Sequence, residues 1–146
     1  MRNFSFLLTA IMLFTFFFSS IIFAQDESSH VFTVSTFEFS LPDEGSAAEF
    51  DSLNTLYMNN VINKNEYIIS QRALRHLWGH NSLDLVYITE YNSFDDIEKG
   101  LDRNTELFRE AWTTSEERQA FNSTIFSYFG GRHSDEIYQE DNNQRK

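Results

Sequence analysis

Residues 67 to 91, YIISQRALRHLWGHNSLDLVYITEY, decide the fold. The second half, Leu83 to Tyr91 (LDLVYITEY), is the strongest run of β-branched and aromatic residues in the chain and reads as a strand. Gly79-His80-Asn81-Ser82, just before it, is turn chemistry. The first half, Tyr67 to Trp78, interleaves Ile68, Ile69, Ala73, Leu74, Leu77 and Trp78 with Gln71, Arg72, Arg75 and His76. Taken alone, that half also fits a helix, because Arg72, Arg75 and His76 would share one helical face. A turn followed by a strong strand favours the extended alternative, so the segment reads as an antiparallel hairpin. Both faces of LDLVYITEY are apolar, with Leu85 and Tyr87 on one and Val86 and Ile88 on the other. A sheet with helices on one side and water on the other alternates apolar with polar, so the second apolar face needs a cover. A second copy of the chain is the simplest one.

Upstream, Val31 to Phe39 (VFTVSTFEF) reads as a strand and Leu41-Pro42-Asp43-Glu44-Gly45 as its break. Ser46-Ala47-Ala48-Glu49 matches a capping box. Phe50, Leu53, Tyr57 and Val61 follow at helical spacing, which predicts a helix over Ala47 to Asn63. Downstream, Ser93 is placed to cap a second helix with Asp95 and Asp96 in its first turn, its apolar side traced by Phe94, Ile97, Leu101, Phe108 and Trp112. Thr114-Ser115-Glu116-Glu117 is another capping box and opens a third helix through Phe121, Ile125, Tyr128 and Phe129, with Gly130-Gly131 as its expected stop. Asp135 to Glu140 reads as an edge strand, and Asp141 to Lys146 as a polar tail prone to fraying. The order is strand, helix, strand, strand, helix pair, strand. This is an α+β chain with the ferredoxin-like βαββαβ arrangement, a four-stranded antiparallel sheet with helices on one face.

The N-terminus has the anatomy of a secretory signal peptide: Arg2 supplies positive charge, Leu7 to Phe18 an apolar core, and Ala24 a small residue at the expected cleavage point. Residues 1–24 are therefore expected to be removed, leaving a flexible leader at 25–30, one domain at 31–140 and the tail at 141–146. An uncleaved anchor is the competing reading, since Phe4 to Ala24 could just span a bilayer core. The expected location is secreted or periplasmic, with no membrane contact after cleavage. No cysteine is present, so no disulfide supports the fold in an oxidising compartment. The full chain carries 11 Lys plus Arg against 22 Asp plus Glu. Loss of Arg2 leaves ten against 22, a formal charge of −12 on the mature domain. Such a surface repels phosphate backbones, which argues against nucleic acid as a partner.

Few residues offer chemistry. His76 and His80 are four apart, a spacing that suits a metal only on a helix, and the hairpin places them at a strand end and a turn; no metal and no cofactor is expected. His133 with Asp135 and Glu136 follows the double glycine and could face a pocket mouth, Asp135 orienting His133 as a general base. Glu90 shares a strand face with Ile88, so it needs a partner, for which Arg72, Arg75 and His76 on the neighbouring strand are the candidates. Tyr87 falls on the opposite face from Glu90, and Tyr87 and Trp78 are the candidate ligand-contacting aromatics.

Three stretches, LPDEGSAAEF (41–50), RALRHLWGHNSLDLVYITEYNSFDDIEKG (72–100) and YFGGRHSDEIYQE (128–140), together make the sequence resemble the dimeric α/β barrel superfamily, which includes antibiotic-biosynthesis monooxygenase-like domains. The export signal and the GGRHSDEIY ending are also similar to uncharacterised secreted proteins of flavobacterial type. The resemblance implies a homodimer whose two sheets face each other, with any ligand between them, but it does not assign a reaction. The expectation is an exported homodimeric domain that binds a small apolar or aromatic ligand or serves structurally. The alternative is a cofactor-independent monooxygenase-like or isomerase-like enzyme. For that alternative His76, Glu90 and His133 would have to converge within about 10 Å on one apolar cavity.

Overall fold

The computed structural model describes residues 29–80 and 83–144. The expected export signal, most of the leader and the Asn81-Ser82 part of the turn lie outside the described residues. The sheet has four strands, β1 (Val31–Phe39), β2 (Ile68–Arg75), β3 (Asp84–Tyr91) and β4 (Phe129–Gln139), in the order β2-β3-β1-β4 with every neighbouring pair antiparallel. Three helices, α1 (Ala47–Asn60), α2 (Asp95–Ala111) and α3 (Ser115–Phe126), connect them. This is the ferredoxin-like arrangement the element order implied.

The hairpin forms as read, pairing Gln71 with Thr89, Ala73 with Tyr87 and Arg75 with Leu85. It ends earlier than its apolar residues suggested. The strand ends at Arg75, the His76 N–H still donates to the Asp84 carbonyl at 3.1 Å, and Gly79 takes a φ of 131° in the loop that follows. Leu77 and Trp78 are left 96% and 93% exposed.

The helix starts follow their capping residues, with two departures. Ser46 Oγ accepts the Glu49 N–H at 3.1 Å, but the Glu49 side chain does not reach back to the cap. Instead the Tyr128 hydroxyl accepts the Ser46 N–H at 3.0 Å and donates to the Glu49 carboxylate, so a buried tyrosine from beyond α3 completes the box. The Ser93 side chain accepts no backbone N–H; its hydroxyl donates to the Asp96 carboxylate at 2.9 Å while its carbonyl accepts the Asp96 N–H at 3.2 Å, and Phe94 stands at the cap position with helical dihedrals. Thr114 and Glu117 form the full reciprocal box of α3.

The buried stripe of α2 is Ile97, Gly100 and Leu107, while Phe94 and Leu101 are 65% and 57% exposed. The reason is Gly100: a Cβ there would lie 2.9 Å from Cε1 of Tyr91, so the helix makes its close approach to the sheet at a residue without a side chain.

Gly130-Gly131 does not stop α3. The helix ends at Phe126 and both glycines lie inside β4, neither with a left-handed backbone, so the final strand runs 11 residues rather than beginning near Asp135. A Cβ on Gly130 would sit 2.9 Å from Glu38 Cγ, and close cross-strand approach is the use this glycine serves. The described parts of leader and tail pair with each other: the Glu140 N–H donates to the His30 carbonyl at 2.8 Å, Asn142 Nδ2 to Ser29 Oγ at 3.3 Å, and Asn142–Gln144 forms a 3-10 turn.

Strand alternation divides the sheet into two faces. Val31, Leu85 and Tyr91 turn toward the helices, in clusters with Ile97 and with Phe50 and Tyr128. A third cluster, Val61, Ile62 and Leu107, joins the end of α1 to α2. The other face carries Phe32, Val34, Val86 and Ile88 on the central strands, with Leu74 and Tyr138 on the edges, 48% and 54% exposed. The two-faced apolar character read from LDLVYITEY is therefore real.

Candidate functional site: a cavity between sheet and helices

The helix-side face of β1 runs Val31, Thr33, Ser35, Phe37, apolar at both ends and small and polar in the middle. Thr89 sits beside Thr33 on β3. Small residues at the centre of a sheet leave unfilled the space that valine or isoleucine would take, and a cavity of about 540 Å³ opens there. That volume lies within the range of small-molecule sites. Thr33, Ser35, Phe37, Tyr87, Thr89 and Tyr91 form its floor. Its roof comes from all three helices: Asn54, Tyr57 and Met58 of α1, Leu101, Asn104, Thr105 and Phe108 of α2, and Phe121, Asn122, Ile125 and Phe126 of α3.

An aromatic wall stiffens the roof, with ring centroids 4.3 Å apart for Trp112 and Phe121, 4.8 Å for Phe108 and Trp112, and 6.3 Å for Tyr57 and Phe121. Polar groups are spaced around it. The Tyr87 hydroxyl donates to Asn54 Oδ1 at 2.9 Å and Gln71 Nε2 to Thr89 Oγ1 at 2.9 Å. Asn104 Oδ1 accepts from Nδ2 of the buried Asn65 at 2.8 Å, and the Asn104 NH2 has no hydrogen-bond partner among the described residues. The Asn122 side chain has no hydrogen-bond partner among the described residues.

Among the described residues, no Asp, Glu, His, Lys or Arg lines this cavity. Its titratable groups are phenols, and burial pushes Tyr57, Tyr87 and Tyr91 above the ordinary tyrosine value, so each stays protonated at neutral pH. For Tyr87 burial outweighs the opposing pull of the Asn54 hydrogen bond and the Arg75 charge. The site suits an uncharged guest and offers it hydroxyls and amides; it holds no group that removes a proton at neutral pH.

Of the residues read from the sequence as catalytic or ligand-contacting candidates, Tyr87 alone lines the cavity. Trp78 lies at the exposed hairpin tip and His76 just past the end of β2. His80 is in the same loop, and among the described residues no three His, Cys, Asp or Glu side chains gather as for a metal. Glu90 is on the opposite face of the sheet, where it accepts from the Ser70 hydroxyl at 2.6 Å and contacts His30 Nδ1 at 2.6 Å; of the expected Arg72, Arg75 and His76, it is Arg72 whose charge helps to lower its pKa. Arg75 points to the helix side, where it pairs with Asp51 and sits over the rings of Phe39 and Phe50. His133 and Asp135 do meet, Nε2 to Oδ2, at 2.8 Å.

Along β1, Glu90 pairs with Phe32 and His133 with Phe37. Five residues of strand separate those positions, about 17 Å, and the two side chains are on opposite faces. His76, Glu90 and His133 do not converge.

The cavity itself was not read from the sequence, although a signal for it exists. Asn54 lies four residues after Phe50 and three before Tyr57, Asn104 three after Leu101 and four before Phe108, and Asn122 three before Ile125. An amide inside an apolar helical stripe either meets a buried partner or faces a cavity.

No protein-family model matches the chain, and a search of curated proteins finds no match. Solved structures do match. A conserved protein from Methanosarcina mazei aligns with a TM-score of 0.53 at 13% identity, over 79% of this chain and 96% of that one. SnoaB, a cofactor-independent oxygenase from Streptomyces nogalater, aligns at 0.52 and 12% identity, over 81% and 99%. A putative antibiotic biosynthesis monooxygenase from Caulobacter crescentus aligns at 0.51 and 12%, over 79% and 92%. At such identities the likeness is one of fold. The chain shares its ferredoxin-like fold with these proteins.

Proposed function

We propose that this chain is an exported, homodimeric domain that holds a small uncharged ligand, largely apolar or aromatic, in the cavity between its sheet and its helices. The observation that carries the reading is the cavity lining: aromatic and aliphatic walls, spaced amides and hydroxyls, and no side chain ionised at neutral pH. Export rests on the signal-like residues 1–24 and dimerisation on the apolar outer face of the sheet. The ligand seat lies within one chain, across the sheet from the expected interface, rather than between two sheets.

An oxygenase without a cofactor is the second reading, favoured by the shared fold with SnoaB. It ranks lower because such chemistry calls for a group that accepts a substrate proton, and the lining has only phenols held protonated.

The test uses N-phenyl-1-naphthylamine, a neutral apolar dye that brightens on leaving water. The reading expects saturable brightening at one dye per chain, abolished by Thr105→Trp, which plugs the roof from α2, with the far-ultraviolet spectrum unchanged. Brightening that survives the plug, or none in the unsubstituted protein, overturns it.

A further inference from the structure

The floor of the cavity is wired to the surface at one point. Ser35 lines the cavity, and its Oγ lies 2.6 Å from Asp135 Oδ1 on the paired position of β4. An ionised carboxylate only accepts, so the hydroxyl hydrogen of Ser35 is committed to Asp135. The other carboxylate oxygen, Oδ2, is 2.8 Å from His133 Nε2. The His133 ring is stacked on Phe37, another floor residue, at 4.7 Å. Imidazole, carboxylate and hydroxyl thus form one chain along the β4 edge, with Asp135 held at both oxygens and unable to turn from Ser35 without breaking the contact with His133.

The consequence is directional. A free serine hydroxyl rotates to donate or accept as its guest requires. Ser35, with its hydrogen drawn outward, presents only lone pairs to the cavity. Its oxygen is also a better acceptor than an ordinary hydroxyl, because it donates to an anion and successive hydrogen bonds polarise one another. A guest that places an O–H or N–H against Ser35 extends the chain to Asp135, whereas an ether or carbonyl oxygen there meets lone pair against lone pair.

We propose that Ser35 is the specificity-determining contact of the cavity, that Asp135 and His133 are its positioning residues, and that the cavity selects neutral guests bearing a hydrogen-bond donor over the same guests with that donor capped. The proposal rests on the cavity being the ligand seat and adds what the ligand must carry. A deprotonated guest is refused twice, since it has no hydrogen to give and would lie one hydroxyl away from the Asp135 carboxylate with no cation in the lining.

The test compares 4-nitrophenol with 4-nitroanisole, of nearly the same shape but with the donor methylated, by equilibrium dialysis against the full chain and its variants. The unsubstituted protein is expected to prefer 4-nitrophenol about tenfold at a pH where the phenol is protonated. Raising the pH through the probe's own ionisation should release it, and the bound fraction should not show the yellow phenolate band. Asp135→Ala lies outside the cavity and frees the Ser35 hydrogen, so the preference should fall to within about twofold while 4-nitroanisole binding holds or improves. Ser35→Ala should do the same, and His133→Ala should lower the preference part way. A general disturbance of the fold would weaken both probes together and leave their ratio alone. Equal binding of the two probes to the unsubstituted protein, or a preference that survives Asp135→Ala, overturns this proposal and leaves the cavity reading standing. Binding of neither probe overturns both.

Discussion

Asn65 offers the sharpest test of how the roof is held. Its side chain is buried, 4% exposed, and makes three hydrogen bonds: Nδ2 donates to the Gly100 carbonyl and to Asn104 Oδ1, each at 2.8 Å, and Oδ1 accepts the Tyr67 N–H at 3.0 Å. The residue therefore ties the entry to β2 to the middle of α2 and orients a cavity amide. Asn65→Ala removes all three bonds, at about 1 kcal/mol net each, so a loss of about 3 kcal/mol is expected. With a urea dependence of about 2 kcal/mol per molar, the midpoint should drop by about 1.5 M. Asn65→Asp discriminates further, because it sets a carboxylate oxygen against two acceptors. Burial and those oxygens would raise its folded-state pKa above the unfolded value of about 3.9. The ionisation penalty is then absent below that unfolded value and grows as pH rises through the folded one. Asn65→Asp should thus be less stable than Asn65→Ala at pH 7 and approach it near pH 4. A loss under about 1 kcal/mol for Asn65→Ala, or a gap between the two variants that is flat with pH, would refute this account of the Asn65 site.

Other positions give independent checks. Gly100→Ala should destabilise despite alanine's better helix propensity of about 1 kcal/mol, because its Cβ would press on the Tyr91 ring; a thermal melt showing stabilisation would contradict the packing described. Ile88→Lys places charge in the middle of the outer apolar face and should turn a dimer into a folded monomer in sedimentation velocity, leaving N-phenyl-1-naphthylamine binding intact. For Glu90, the Ser70 hydroxyl first and His30 after it hold the carboxyl below its ordinary value of 4.5 against the opposing pull of burial. A depressed folded-state pKa gives stability that is present above 4.5 and lost as pH falls through the folded value, so Glu90→Gln should make acid unfolding less steep. An unchanged acid limb would show that these bonds do not persist in solution.

What was legible in the sequence was what local chemistry decides. Val31–Phe39 appears at the boundaries read from its β-branched and aromatic run, and the Thr114 box opens α3 because cap and acceptor are three residues apart. The hairpin was readable because a turn signal arbitrated an ambiguous run. Tertiary partners decide the rest. Glu49 leaves its local cap for Tyr128, 79 residues away. Gly130 serves Glu38 across the sheet rather than ending a helix. Of the candidate site, His133 and Asp135 were paired correctly from their spacing, but their link to the cavity runs through Ser35, 100 residues from Asp135, which no local pattern marks. The cavity is a deficit of volume at Thr33, Ser35 and Thr89, visible only once the helices are laid across the strands.

The most direct measurement is an amide shift-perturbation map of the 15N-labelled chain titrated with 4-nitrophenol. The account predicts saturable shifts in the strand amides around Ser35 and Tyr87 together with those of Asn54, Asn104 and Asn122 on the roof helices. Shifts confined to the sheet with the roof helices unmoved, or a titration without saturation, would contradict it.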